Sequence, residues 1–183
     1  VITFNPGINE DYLNQTNDSL DAISHRGPNQ RIIKKINEYN SIGFVRLSII
    51  DLSENSNQPF HSSQNEITII FNGEIYNYKE LKEKYFLSEK FKSQGDGEIL
   101  LRMYQKFGEN FIDKIKGMFS IVVIDNIKKT TFLYRDRFGI KPLYFFRAKE
   151  AIYYCSEIKG LIATGKIKKA LNYKEAQIYL LHG

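Results

Sequence analysis

The segment FNGEIYNY at 71–78 follows the apolar run ITII at 67–70, so an amide, a glycine and a carboxylate arrive together at the end of what reads as a buried strand. Asn-Gly between apolar runs is the ordinary signature of a hairpin turn, with Glu74 solvated beside it. The same three residues suit a second task. An Asn side-chain N–H and the backbone N–H of the following Gly can both be aimed at a developing negative oxygen. Glycine lets a substrate come close to the backbone, and Glu74 can hold an ammonium group. Arg46 lies inside the apolar run FVRLSII; a cation buried there needs a carboxylate from the protein or from a ligand. Asp96 in QGDGE is placed either to cap a helix or to receive an amino group. Arg135 and Asp136 in RDRFGIKPLYFF read as an ion pair anchoring a tight turn, and His25 in HRGPN as a loop anchor. No histidine falls at metal-ligand spacing with a second His or Cys, so no metal site is expected.

These residues need elements to carry them. Apolar alternation marks strands over 1–4, 31–35, 42–50, 66–71, 118–125, 130–136, 143–148 and 151–156. Helical spacing marks 8–24, 79–85, 95–108, a short piece over 109–115, and 156–165, where Gly165 closes the last turn. Another helix begins within 171–183. Gly27 and Pro28 keep 25–29 a loop, and the polar run SENSNQ at 53–58 reads as a connector. Two groups of antiparallel-looking strands flanked by helices give the α+β class with stacked sheets.

The bulk properties exclude several functions. The chain has 183 residues, 42% hydrophobic and 26% charged, enough for about one domain with a sizeable core. No apolar run approaches the roughly 18 residues that span a bilayer, and VITFNPG lacks the features of a signal peptide. The single cysteine, Cys155, allows no intrachain disulfide and points to a reducing compartment, the cytoplasm. The net charge of +5 is dispersed among acids rather than gathered in a tract, which argues against nucleic acid as a partner.

In this order the motifs are specific. HRGPN, RLSIID, FNGEIYNY, GDGE, KGMFSIVVID, RDRFGIKPLYF and SEIKGL resemble the glutaminase domain of asparagine synthetase, a class II glutamine amidotransferase. The resemblance implies the N-terminal-nucleophile hydrolase fold, an αββα sandwich of two antiparallel sheets between helix layers. It divides the chain into an amidotransferase domain over 1–170 and the start of a linker over 171–183, leading to an ATP-dependent synthetase domain. Carried over residue by residue, it makes Arg46 the fork for the glutamine α-carboxylate, with Leu47, Ser48, Ile49 and Ile50 along the same wall. Asn72 and Gly73 become the oxyanion hole, and Glu74 and Asp96 hold the substrate amino group. L-glutamine is then the ligand, with no cofactor for this domain, and ATP and Mg²⁺ are needed only by the synthetase domain. A homodimer is compatible with this picture. Aspartate is the default acceptor of the ammonia, although related proteins amidate sugars or other carboxylates.

Two positions depart from the family's pattern. Gly95 stands where Ser usually precedes the Asp. The family's nucleophile is an N-terminal cysteine whose own α-amino group is the general base, whereas this sequence starts at Val1. VITFN resembles the family's first strand entered about three residues late, so a cysteine is expected ahead of Val1. The other account is a catalytically dead binding module. Cys155, in YYCSEIKG, reads as a packed core thiol.

Overall fold

The computed structural model describes residues 2–4, 10–47, 53–149 and 151–182. Five strands form one antiparallel sheet in the order β2 (Gln30–Lys35), β3 (Asn40–Arg46), β1 (Ile2–Phe4), β9 (Ile152–Cys155) and β8 (Tyr144–Arg147). Four form a second: β4 (Phe60–His61), β5 (Ile67–Ile75), β6 (Gly117–Asp125) and β7 (Thr130–Arg135). Helices α1 (Glu10–Ala22) and α4 (Ile158–Ala163) pack on the first sheet; α2 (Tyr78–Phe86) and α3 (Gly97–Phe107) belong to the side of the second.

The period-2 alternation of the strands accounts for this layering. On β5 and β6, Ile69, Phe71, Phe119, Ile121 and Val123 face the core under α3. Their neighbours Ile70, Val122 and Ile124 turn the other way and meet Ile42 of β3 and Tyr154 of β9, filling the space between the sheets. On β9, Tyr153 and Cys155 face α1 and α4, with Leu20, Ile23 and Leu161. Helix, sheet, sheet and helix therefore stack in four layers, as the sequence led us to expect. Cys155 is buried in the outer core, where its Sγ lies 4.0 Å from Ser19 Oγ, in keeping with a packed thiol.

Several boundaries move. The helix expected over 8–24 covers Glu10–Ala22, and a 3-10 turn at Ser24–Arg26 enters the HRGPN loop. The strand expected over 42–50 begins earlier, at Asn40; its last residues, 48–50, lie outside the described residues. The piece over 109–115 is a 3-10 helix, Gly108–Lys114. The connector between β3 and β5 holds the two-residue strand β4, too short for any pattern to mark. Helix α5 (Tyr173–His182) starts behind Asn172, whose Oδ1 accepts the N–H groups of Lys174 and Glu175. No described helix is long and apolar enough to cross a membrane.

Candidate functional site

The largest change from the sequence reading falls on FNGE. The chain does not turn there. Strand β5 continues to Ile75, pairing Asn72 with Ser120, Gly73 with Phe119, Glu74 with Met118 and Ile75 with Gly117. A two-residue hairpin turn needs its partner strand next in sequence, but the partner of β5 is β6, two helices further on. The turn comes at Tyr76–Asn77, where Tyr76 N–H donates to Lys116 O and Asn77 bridges Lys114 O and Lys116 N–H. Gly73 is what lets the strands approach at this point. Its φ is +156°, and a Cβ there would stand 2.1 Å from Met118 O.

Where β5 meets the first sheet, a cavity of about 390 Å³ opens. Arg46, Leu47, Asn72, Gly73, Glu74 and Asp96 all line it, so residues spread over fifty positions converge on one space. Gly95 lines it as well. Ser48, Ile49 and Ile50 lie outside the described residues, as does Val1. Among the described residues, the buried Nδ2 of Asn72 has no hydrogen-bond partner. A buried donor left unpaired costs about 1–3 kcal/mol, and an oxygen of a bound ligand would satisfy it.

Asp96 stands at the N-cap position of α3 but makes no side-chain capping bond. Its Oδ2 instead accepts Ile75 N–H at 2.8 Å, tying the helix start to the end of β5. The capping alternative is thereby corrected: α3 begins over the sheet, and the nearest donor in need of an acceptor is on β5. Burial raises the Asp96 carboxyl above the ordinary range, and the neighbouring Glu74 carboxylate adds to this against the Ile75 N–H. Two acids at close quarters favour a cation between them. On the opposite wall, Arg46 Nη1 donates to Asn57 Oδ1 at 2.7 Å, and Asn29 N–H donates to Arg46 O. Gly27 lies flat against the Arg46 backbone, where a Cβ would meet its carbonyl carbon at 2.4 Å.

Sequence reasoning missed five polar residues in the lining: Arg26, Ser56, Gln58, Lys141 and Ser156. Arg26 and Lys141 belong to motifs already singled out, HRGPN and RDRFGIKPLYF, but spacing says nothing of where their side chains go. Arg26 donates to Glu157 Oε1 at 2.9 Å, joined there by His25 at 3.1 Å, while Lys159 reaches Oε2 at 3.2 Å. Arg26 and these neighbours outweigh the cost of burial and hold the Glu157 carboxyl down to about 2. His25 thus anchors the loop to the SEIKG segment and does not line the cavity.

Lys141 is brought in by Asp136. The expected Arg135–Asp136 ion pair does not form among the described residues; each anchors the turn separately. Arg135 donates to Gly139 O and Lys141 O. Asp136 accepts the N–H groups of Phe138, Ile140, Lys141 and Phe119. Burial alone would raise its carboxyl, but these four donors leave it lowered. Arg135 ends β7 and Asp136 lies just beyond it, and each side chain is already engaged by backbone groups of the turn. Among the described residues, no group of three or more His, Cys, Asp or Glu gathers as a metal site would require.

Lined by Arg26, Arg46 and Lys141 and by Glu74 and Asp96, the cavity carries the charges that complement a small zwitterion, and the Asn72 Nδ2 adds a buried N–H donor for a neutral oxygen. Comparisons with known proteins agree with this chemistry. The family described as glutamine amidotransferase domain matches residues 3–183. The glutamine-hydrolyzing asparagine synthetase 2 of Bacillus subtilis (strain 168) is 44% identical over 156 residues, covering 85% of this chain and 20% of that protein. Asparagine synthetase 1 of the same organism, also glutamine-hydrolyzing, is 39% identical over 156 residues, covering 84% of this chain and 24% of its own length. Amidase chry2 of Gibberella zeae is 40% identical over 148 residues, covering 80% and 22%. The chain therefore spans about a quarter or less of these relatives. Among solved structures, the glutamine phosphoribosylpyrophosphate amidotransferase from B. subtilis superposes with a TM-score of 0.70 at 18% identity, over 90% of this chain and 43% of that one. That likeness concerns the fold, and it agrees with the αββα sandwich described above.

Proposed function

The chain belongs to the glutamine amidotransferase domain family, and from that premise we propose that it hydrolyses L-glutamine to L-glutamate and ammonia. The observation that carries the reading is the buried, unpartnered Nδ2 of Asn72 in a cavity that also holds Arg46, Glu74 and Asp96. Arg46 receives the α-carboxylate as a planar fork. Glu74 and Asp96 receive the α-ammonium. The side-chain amide then reaches toward Asn72 and Gly73, whose N–H groups take the oxygen of the tetrahedral intermediate.

The attacking thiolate in this proposal belongs to a cysteine preceding Val1, with its own α-amino group taking the proton. Sulfur adds to the amide carbon, the C–N bond breaks, and the proton leaves with ammonia. Water then cleaves the γ-glutamyl thioester, giving glutamate and restoring the thiol. No step uses a metal or cofactor. The ammonia passes to a carboxylate acceptor, aspartate by default, activated by ATP and Mg²⁺ in a synthetase domain of a longer chain.

A non-catalytic glutamine-binding module is the second reading. It is favoured by one observation: among the described residues the cavity lining carries no thiol, and Cys155 is buried beside Ser19 instead. Intact-mass measurement and N-terminal sequencing of the native protein separate the two. A leading cysteine, release of glutamate and ammonia from glutamine, and alkylation of that cysteine by a glutamine-like diazo ketone are expected. A native start at Val1 with glutamine bound but not turned over would leave the binding module.

A further inference from the structure

Residue Gln58 is buried and does the work of a missing strand. Strand β4 pairs with β5 only at Thr68 and Ile69. Past that point both backbone groups of Phe71 are met by the Gln58 carboxamide: Nε2 donates to Phe71 O at 2.9 Å, and Oε1 accepts Phe71 N–H at 2.8 Å. The main chain of Gln58 is gripped in the same way by another glutamine. Gln30 Nε2 donates to Gln58 O at 3.1 Å, and Gln30 Oε1 accepts Gln58 N–H at 3.3 Å.

Two carboxamides in series therefore link β2 of one sheet to β5 of the other. The ends of this ladder fall beside the two halves of the cavity. Gln30 is the register partner of Arg46, and Phe71 immediately precedes Asn72. The residue before Gln58 completes the link, because Asn57 Oδ1 accepts Arg46 Nη1 at 2.7 Å. The core of Ile42, Ile70, Val122, Ile124 and Tyr154 joins the two sheets by packing, and these three amides add a hydrogen-bonded link between the walls beside the cavity itself.

We propose that Gln30, Asn57 and Gln58 are positioning residues that set the span between Arg46 and Asn72, and thereby match the cavity to a γ-carboxamide rather than the β-carboxamide of asparagine. The proposal rests on the glutamine-hydrolysis reading. An amino acid held at its α-carboxylate presents its side-chain amide at a distance fixed by its methylenes, and one methylene separates glutamine from asparagine. A rigid span rejects the shorter substrate; a loosened one rejects it less. Displacing reacting groups by about 1 Å costs about 10²-fold in rate, and a single methylene is worth about 10- to 200-fold in discrimination.

The test is steady-state kinetics of the full native chain with glutamine and with asparagine, normalised to active sites by titration with the diazo ketone. Gln58→Glu is isosteric, keeps an acceptor for Phe71 N–H and loses the donor to Phe71 O. It is expected to lower kcat for glutamine by about tenfold or more with KM within about twofold, and to reduce the glutamine-to-asparagine ratio of kcat/KM by about tenfold. Asn57→Ala is expected to do the reverse, raising KM about tenfold with kcat little changed, because it removes the 2.7 Å contact that orients the Arg46 guanidinium and leaves Asn72 in place. Gln30→Ala, at a half-buried position, tests the ladder should Gln58→Glu fail to fold, and is expected to lower the same selectivity ratio. Selectivity preserved in the folded variants, or kcat and KM shifting together by one common factor, overturns the clip. Unmodified protein that neither hydrolyses nor binds glutamine overturns the function reading and the clip with it. Parental hydrolysis with undiminished selectivity in the variants overturns the clip alone.

Discussion

On the β5 wall of the cavity, Asn72 and Gly73 ride on a strand paired along its full length with β6 and packed on the apolar core beneath α3. On the β3 wall, Arg46 is the last residue of its strand, and Leu47 beyond it is 55% exposed. The first wall is held by backbone pairing and burial. At the second the Arg46 backbone is paired too, with Gln30, but the pairing stops there and the wall relies on polar contacts near water: Asn57 on the guanidinium, the Gly27 loop against the backbone, and the charge cluster around Glu157. The difference suits the work proposed for each. An oxyanion hole acts through donors that are already in place when charge develops, so it gains from a rigid support. A carboxylate fork acts through a charge–charge contact that tolerates small adjustments.

This contrast is most directly broken at Gly73. Gly73→Ala places a methyl against Met118 O at a positive φ, so a loss of about 4 kcal/mol or more is expected in chemical denaturation. A loss under about 1 kcal/mol would show that the β5–β6 contact yields easily and that this wall is not rigid.

Asn72→Ala separates rigidity from chemistry. It removes an unpartnered buried donor, so the thermal midpoint should hold or rise, while kcat for glutamine falls about 10²- to 10³-fold. Equal losses of stability and rate would make Asn72 a structural residue.

Arg46→Ala probes the other wall. Glutamine affinity measured by calorimetry should weaken by about 1.5–3 kcal/mol, the usual range for a hydrogen bond to a charged group. Unchanged affinity would remove Arg46 from the carboxylate site.

The smallest effect is expected at the rim. Glu157→Gln should cost about 1 kcal/mol or less at neutral pH, since partly exposed ion pairs are weak and screened by salt. Its pH dependence is more telling. The Glu157 carboxyl is depressed from 4.5 to about 2, so its contribution is complete above pH 4.5 and is lost as pH falls through about 2. Acid unfolding should show this loss in the parent and not in Glu157→Gln.

Much of the site was legible from residue types. Asn, Gly and two acids opposite an arginine are what an amide-bearing zwitterion demands, and the order of the motifs carries the family resemblance. Strand alternation likewise separated Ile70 and Val122 from Ile69 and Val123, although which set met which core was not readable. The failures share one cause. Asn72-Gly73 looked like a turn, Asp96 like a cap and Arg135–Asp136 like an ion pair because local patterns assume that neighbours in sequence are partners in space. Three of these residues have a partner far along the chain, Phe119 for Gly73, Ile75 for Asp96 and Phe119 again for Asp136, while Arg135 is taken up by the turn carbonyls of Gly139 and Lys141.

The sequence by itself determined the element types, the two-sheet class, and the set of charges and amides available to a ligand. Those follow from periodicity and side-chain chemistry, which are local. Only the tertiary structure decided that β5 runs on through Asn72 to Ile75, and that Asp96 faces that strand rather than its own helix. It alone decided that two glutamines join the walls. These depend on which backbone groups lie opposite one another once distant strands pair, and a buried N–H or C=O must be met by whatever group the register brings to it.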